Sequence, residues 1–524
     1  MHRLVIALVT LLGLTGATVV GAYLFLSGAS TDRAASLAPA NSAVYVNVYL
    51  QPSAGQQLNL AELIGRLPGF ADDSSLDEKI DQVAQNLLGG TGVDYRTDLK
   101  PWLGGQVAIA AWPSEDGTIE DSSVVVIAEV RDPDAAATAI PGLIGDGATF
   151  ATEPYGGTEL HVADAGAYAF VDGMLVAGPD ADALRAAVDA SGGSSLADRS
   201  DFRTTSADLP ADHLASAFVD LAAIGEATGD ATLSGVSTAG FVLVAEQEGL
   251  RLSGSMPFDV EEAAPSARTS FALGTEPSSL VDWMPESTVA EVVVFGLRQS
   301  LEDAEAMLGA TPDGQEVAGF LTTARALAAF GLGINLDTDV LPLLDREVGV
   351  ALTGLDGELP SGQLLLRPSD GEAAAGMLDN LATRLVEAGA TRQTTTPDGA
   401  DGVEVTILTL PDTGSVAYAV VDGIVILGLS ADDVAASIEA HRSGATLGAD
   451  EAYRSTFEVA GARAGTEAYA DVGRLVELLG IDAELPADAR DILGQIGSFA
   501  LTLPSRDDEI AFHAVLTVDD RRPD

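Results

Sequence analysis

The residue types that carry most enzyme chemistry are scarce in this sequence. It contains five histidines and no cysteine, which excludes thiolate nucleophiles, thiolate metal ligands and disulfides. No two histidines stand at the spacing of a metal-binding pair, and no Gly-x-Ser-x-Gly, Ser-x-x-Lys or Gly-Lys-Ser/Thr motif occurs. We therefore predict no catalytic residue, no cofactor and no metal site.

The carboxylates leave one enzymatic alternative open. There are 79 acidic residues, and pairs such as Asp432-Asp433 lack the spaced ligands and central glycine of a calcium loop. Two carboxylates with shifted pKa values in one cleft could hydrolyse cell-envelope glycans. Because the sequence does not show which of so many carboxylates meet in space, this alternative names no residues.

The charge balance restricts the partners. The 79 acidic residues face only 26 basic ones, which gives a formal net charge of −53 at pH 7. A field of this sign repels nucleic-acid phosphates and anionic lipid headgroups. We expect no nucleic-acid partner.

The N-terminal segment predicts a membrane anchor. Residues 4–26 contain no charged side chain, and 23 residues suffice to cross the hydrocarbon core, which needs about 20. Arg3 precedes the segment and favours a cytoplasmic N-terminus. We expect residues 1–30 to form a single-pass signal anchor that holds the rest of the chain outside the cytoplasm. The alternative is cleavage near Gly28 and secretion.

Self-comparison of the sequence indicates an internal duplication. Residues 168–178 recur as residues 418–428 at an offset of 250, and residues 98–101 recur as 339–342 at an offset of 241. The order of the matches is kept along the chain, as expected of a repeat with loop insertions. We predict one copy at 38–260, a linker at 261–282 and a second copy at 283–520.

Turn and cap signals predict the elements of each copy. Asp172-Gly173 and Asp422-Gly423 each join two apolar stretches, as in a two-residue hairpin. A helix should follow each hairpin, capped by Asp180 in the first copy and by Ser430 in the second. Strands dominate and helices do not alternate strictly with them, so we predict an α+β fold: an antiparallel or mixed sheet with helices packed on one face.

One motif carries a family resemblance. Residues 93–104, Val-Asp-Tyr-Arg-Thr-Asp-Leu-Lys-Pro-Trp-Leu-Gly, together with Pro39 and residues 43–46, resemble the bacterial family catalogued as domain of unknown function 3352. The resemblance implies an N-terminal membrane segment before a long extracytoplasmic region, and it implies no activity. The second copy departs from the motif, with Leu343 in place of Trp102.

The motif also supplies the one candidate binding position. Its members are Asp98, Lys100, Pro101 and Trp102. A tryptophan just before a strand is typical of a core edge whose indole N–H finds a nearby acceptor. The alternative is a hot spot for a ligand or protein partner.

These observations favour a non-enzymatic protein that is anchored in the membrane and binds a partner or an envelope component. Two alternatives stay open. One is the carboxylate-dependent hydrolase, and the other is a carrier of an apolar ligand held between a sheet and its helices.

Overall fold

The computed structural model describes most of the chain beyond the N-terminal segment. It covers residues 32–67, 92–113, 122–144, 148–228, 237–261, 265–310, 328–356, 359–400, 402–411, 414–480, 493–506 and 508–519, with isolated positions at 78, 81, 84, 85, 263, 322, 323, 325, 326 and 490. The chain forms two compact units. Unit 1 comprises residues 1–261 and 518–524, and unit 2 comprises residues 262–517.

The described residues of unit 1 form ten strands of a sheet. Its strands are β1 (Val44–Tyr49), β2 (Leu103–Trp112), β3 (Ser123–Val130), β4 (Ala151–Tyr155), β5 (Thr158–Ala163), β6 (Gly166–Val171), β7 (Met174–Gly178), β8 (Ala215–Asp220), β9 (Thr238–Ala245) and β10 (Gly249–Pro257). The spatial order is β4-β5-β6-β7-β3-β2-β1-β8-β9-β10, and each neighbouring pair is antiparallel.

Helices cover both faces of this sheet. The described helices are α1 (Ala54–Arg66), α2 (Pro133–Ile144), α3 (Ala181–Ser191), α4 (Ser200–Ala207) and α5 (Leu221–Thr228). Ile140 of α2 shares a core cluster with Val126 of β3. Leu184 of α3 shares a different cluster with Ile127. Since successive side chains of a strand point to opposite faces, α2 and α3 lie on opposite sides of β3.

Unit 2 has the same sequence of strands in space. They are β11 (Ala290–Phe295), β12 (Glu347–Asp356), β13 (Leu359–Arg367), β14 (Thr391–Thr395), β15 (Val405–Leu410), β16 (Gly414–Val421), β17 (Ile424–Gly428), β18 (Thr466–Asp471), β19 (Ile496–Leu503) and β20 (Glu509–Val518). The order is β14-β15-β16-β17-β13-β12-β11-β18-β19-β20. The pairs from β14 through β19 are antiparallel.

The helices of unit 2 also lie on both faces. They are α6 (Pro265–Leu273), α7 (Leu297–Ala310), α8 (Gly371–Glu387), α9 (Ala431–Ser443), α10 (Glu451–Ala460) and α11 (Val472–Leu479). Leu378 of α8 packs in one cluster with Leu366 of β13. Ile438 of α9 packs in another cluster with Leu365. Helix α6 lies within the segment predicted as a linker.

The predicted α+β class with antiparallel strands is confirmed, and so are its local signals. Asp172 and Asp422 each adopt a φ of 50° in the two-residue turns of the β6–β7 and β16–β17 hairpins. The Asp180 carboxylate accepts the Ala183 N–H at 2.9 Å at the start of α3. Ser430 caps α9 in a capping box with Asp433.

The prediction of helices on one face only is wrong. Central strands such as β7 are buried at every position, which requires a covering layer on each side. The side chains on both faces of these strands are apolar, so each face is covered by a helix.

The predicted anchor, residues 4–26, lies outside the described residues. Among the helices that the structure describes, none combines the length and the apolar character needed to cross a bilayer. The first described residues are fixed firmly to unit 1. The Tyr45 hydroxyl donates to the Asp32 carboxylate at 2.7 Å, and Arg33 pairs with Glu129 at 3.0 Å and donates to the Asp172 carbonyl at 2.7 Å.

Candidate functional site

A groove of about 460 Å³ opens on one face of the unit 2 sheet. It crosses four neighbouring strands, β12, β13, β17 and β16, and its floor is aliphatic. The residues whose side chains share this face are Val350, Leu352, Pro360, Leu364, Val416, Leu427 and Leu429. The volume lies within the range of about 300–1,000 Å³ that is typical of small-molecule sites.

Strand alternation explains why the groove lacks polar side chains. Ser361 and Gln363 contribute to its walls but are out of phase with Leu364, so their side chains point to the opposite face. There the Ser361 hydroxyl donates to the Asp433 carboxylate at 2.8 Å, and the Gln363 amide donates to the Asp433 carbonyl at 3.1 Å. Both polar groups are thus directed toward α9 rather than into the groove.

The groove is open because α8 covers only the neighbouring row of residues. Leu366 and Val425, which face α8, are buried, whereas Leu364 is 36% exposed and Val350 is 51% exposed. Val292, Val350, Leu364 and Leu427 are register partners across β11, β12, β13 and β17. They form an apolar row in which Leu427 packs at the edge of the α8 cluster and Val292, Val350 and Leu364 stay exposed.

The row at the same place in the strand order of unit 1 is more deeply covered. It consists of Val46, Ile109, Val126 and Ala177. Val126 is 1% exposed and packs with Ile140 of α2 and Leu60 of α1. The two units therefore differ in how they use the same sheet face: unit 1 packs it as core, and unit 2 leaves it accessible.

A β-bulge shapes the floor of the groove. The β12–β13 register shifts between Leu352 and Gly354, opposite Gly362. A Cβ atom on Gly362 would lie 2.0 Å from the Ala351 carbonyl oxygen, so only glycine fits. The missing side chain also keeps this part of the floor clear.

Among the described residues of unit 2, three glutamates are buried on the opposite face of the sheet, in addition to Asp433 of α9. Glu467 is fully buried and pairs with both arms of the Arg463 guanidinium, at 3.0 and 3.1 Å. Glu347 pairs with Arg367 at 3.0 Å and accepts the Ser278 hydroxyl at 2.8 Å. These two carboxylates are satisfied by structural partners, as buried ion pairs must be.

Glu291 is the third carboxylate, and it differs. Neither of its oxygens has a hydrogen-bond partner among the described residues, and the side chain is buried. Burial, and then the negative charge of Glu467, raise the pKa of the Glu291 carboxyl well above its usual value. The group is therefore protonated and neutral at a pH where exposed glutamates are ionised.

The sequence motif at residues 98–102 forms the entry to β2. Trp102 is 1% exposed in the unit 1 core, and its indole N–H donates to the Asp98 carbonyl at 2.6 Å. The Lys100 ammonium donates to Asp81 at 2.6 Å, while Pro101 is exposed. The motif thus combines the buried Trp102 with a partly buried ion pair, and it lies in unit 1, whereas the groove lies in unit 2.

A similar turn precedes β12 in unit 2. The Asp98 carboxylate accepts the backbone N–H of Asp94 at 2.8 Å. The Asp339 carboxylate likewise accepts the backbone N–H of Asn335 at 2.8 Å. Leu343 occupies the buried position that Trp102 holds in unit 1. The matched aspartates therefore have a structural role in closing a turn.

The part of the chain that the structure covers contains no cluster of potential metal ligands. There, no three histidine, aspartate or glutamate side chains gather closely enough to hold a metal ion. The His213 Nδ1 lies 2.7 Å from the Pro210 carbonyl, and the ring of His441 stacks on Trp283. Both rings pack against their own unit.

Sequence reasoning missed the groove. Its strands show apolar residues at both phases, as in Val348 to Leu352 and in Leu364 to Leu366. That pattern predicts burial on both faces and does not show which stretch the helices leave open. The only sequence signal was the general richness of these strands in aliphatic residues, which suggested an apolar ligand without placing it.

Comparison with known proteins identifies the family. The family model described as "Protein of unknown function (DUF3352)" matches residues 4–516, so the chain belongs to this family and the resemblance drawn from residues 93–104 is confirmed. A search of curated proteins finds no match. Two solved structures, "Structure of crystal form III of TP0453" and "Structure of crystal form I of TP0453", are each 10% identical with a TM-score of 0.24. They cover 44% of this chain and 81% and 79% of their own chains, and a TM-score this low establishes no shared fold.

Proposed function

We propose that this member of the family is a membrane-anchored, extracytoplasmic protein that binds an apolar ligand without changing it chemically. The observation that carries the proposal is the open aliphatic groove on the sheet of unit 2. Its side chains offer dispersion contact and water exclusion, and they offer no nucleophile, acid or base.

The exposed aliphatic side chains of the groove support binding. A soluble surface seldom leaves several aliphatic side chains together in water, and such patches mark interaction or ligand sites. Val350 and Leu429 are about half exposed, and they lie with the less exposed Leu364 along one groove. A bound apolar molecule would remove this surface from water.

The hydrolase alternative receives less support from the same site. A glycoside hydrolase needs two carboxyl groups flanking the bond that is cleaved. Among the described residues that line the groove, none is a carboxylate. The buried carboxylates of unit 2 lie on the other sheet face, where Arg463 and Arg367 neutralise two of them.

The anchor rests on the uncharged residues 4–26 and on Arg3 before them. We propose a cytoplasmic N-terminus with both units outside the membrane. Protease treatment of intact cells should degrade the body while it leaves cytoplasmic proteins whole. A soluble body in the culture medium would instead indicate cleavage of the segment, and a protected body would contradict an extracytoplasmic location.

We further propose that the two units are copies of one ancestral unit. The common strand order, the matched Asp-Gly hairpins and the matched turns at Asp98 and Asp339 support this proposal. In such a pair one copy can keep its sheet face as core, while the other opens it for a ligand.

Ligand binding can be tested on residues 31–524. The core clusters of both units consist of residues 34–518, so removing the anchor leaves each packed layer in place. The fluorescence of the uncharged probe N-phenyl-1-naphthylamine should rise on binding, and Val350→Asp should abolish the rise because it places a carboxylate in the groove. Circular dichroism and thermal melting verify the fold of each variant.

Val292→Asp provides the matched control. Val292 is the register partner of Val350 and is similarly exposed, at 48% against 51%, but it does not line the groove. We expect Val292→Asp to keep the fluorescence rise. Equal losses in both variants, or no rise in the parent protein, would contradict binding in the groove.

A further inference from the structure

We propose that the occupant of the groove is a single aliphatic chain of a lipid that carries no net negative charge. The inference rests on the proposed function and names the class of ligand. It follows from the size of the groove, the chemistry of its lining and the charge of the protein.

The volume fits one chain. The groove holds about 460 Å³, which is room for about 15 groups of the size of a water molecule, at about 30 Å³ each. A methylene group is of similar size, so one long acyl chain fills the space and two do not. Four strands at a spacing of about 4.8 Å make the groove about 14 Å wide from β12 to β16.

The lining selects an aliphatic ligand. The described part of the lining has no aromatic side chain to stack on a ring and no polar side chain that points inward to orient a heteroatom. Val350, Leu364 and Leu427 instead present branched aliphatic side chains side by side across three strands. Such a surface gains from dispersion and water exclusion along a chain of methylene groups.

The charge of the protein restricts the headgroup and argues against other occupants. At a net charge of −53, the protein repels an anionic headgroup at the mouth of the groove. A second copy of the same chain carries the same −53, so pairing two grooves face to face would be opposed by strong repulsion. A neutral monoacyl lipid experiences neither the repulsion of an anionic headgroup nor the repulsion between two copies of the chain.

The experiment measures displacement of the fluorescent probe from delipidated residues 31–524. Neutral monoacylglycerols of increasing chain length serve as competitors, with the fatty acid and the diacylglycerol of matched chain length beside them. We expect affinity to rise with chain length up to about 15 carbons and then level off as the groove fills. The fatty acid, when ionised, and the diacylglycerol should bind at least about 10-fold more weakly than the monoacylglycerol.

A filling variant tests the geometry. Leu429 lies at one end of the groove and is 47% exposed, so Leu429→Trp should shorten the groove and shift the best chain to a shorter one. Leu479→Trp, at a similarly exposed position of α11 outside the lining, should leave the chain-length profile unchanged. A loss of all binding in Leu429→Trp with the fold intact would contradict this geometry.

The outcomes separate this inference from the proposed function. Probe binding that depends on Val350 but is not displaced by any acyl chain would overturn the inference and leave the proposed function standing. Displacement that does not depend on chain length, or equal binding of the ionised fatty acid, would also overturn it. Sedimentation velocity that shows a dimer in the parent and a monomer in Val350→Asp would assign the groove to a second copy instead.

Discussion

The buried Glu291 carboxyl makes a sharp prediction about how the stability of unit 2 depends on pH. Glu291→Gln replaces the protonated acid with a neutral group of nearly the same shape. Neither group finds a partner at this position within the described residues, so the exchange leaves the hydrogen bonding of the folded unit nearly unchanged. The variants differ in that only glutamate can ionise.

The sign follows from the raised pKa. In the unfolded chain the carboxyl loses its proton near the ordinary value of 4.5, whereas burial and then the charge of Glu467 hold it protonated in the folded unit. The stability that glutamate contributes is complete below pH 4.5 and is lost as the pH rises toward the folded pKa. Over that window the free energy of unfolding should fall by about 1.4 kcal/mol per pH unit relative to Glu291→Gln.

The assay is urea unfolding at a series of pH values from about 5 upward, with the first two tryptophans replaced by phenylalanine. Trp283 then reports on unit 2 alone, because the other two tryptophans, Trp102 and Trp112, belong to unit 1. Other titrating groups are common to both proteins, so their effects cancel in the difference between the two curves. Glu291→Gln should be close to the parent near pH 5 and clearly more stable near pH 8.

Parallel stability curves would refute the reasoning. They would mean that the carboxyl ionises at the same pH in the folded and unfolded chain, and therefore that it is hydrated or paired in the folded protein. A destabilised Glu291→Gln variant at pH 8 would point to an ionised Glu291 that binds a cation.

Four further substitutions have expected effects on stability, the first three of them in the same unfolding assay. Glu467→Gln leaves the Arg463 guanidinium without its buried partner and should lower the free energy of unfolding by about 3–5 kcal/mol; an unchanged value would mean that the pair is not formed. Gly362→Ala should lower it by about 1–3 kcal/mol through the clash at the bulge. Gly354→Ala, where a new Cβ meets nothing within 4 Å, should change it by less than about 0.5 kcal/mol, and equal effects would refute the clash. In the parent protein, with unfolding followed by circular dichroism, Trp102→Ala should destabilise unit 1 by about 3–5 kcal/mol and leave probe binding in the groove intact; lost binding with unchanged stability would make Trp102 a ligand contact.

The local structure was predictable wherever short-range chemistry decides it. Asp-Gly turns and the caps at Asp180 and Ser430 depend on neighbours within a few residues. Trp102 belongs in the same class, because an indole before a strand needs both burial and a nearby acceptor, and the Asp98 carbonyl is four residues away. The family also followed from the motif around this tryptophan.

The layers on both sheet faces and the groove were not predictable in this way. Val350 and Val348 are both aliphatic and share one strand face, yet one is half exposed and the other is buried. The difference is set by where α8 ends its coverage of the sheet, which depends on packing between elements far apart in sequence. The sequence also did not show which of the 79 acidic residues would be the three buried glutamates, because burial of a carboxylate depends on how the sheet assembles.

The fixed position of Asp32 and Arg33 gives the proposed anchor a mechanical consequence. Only residues 27–31 separate the end of the apolar segment from the first pinned side chains, and a chain of that length reaches at most about 20 Å. With so short a linker, unit 1 would be held within about 20 Å of the membrane surface and could not diffuse away from it. A protease that cleaved this linker would release both units in a single fragment.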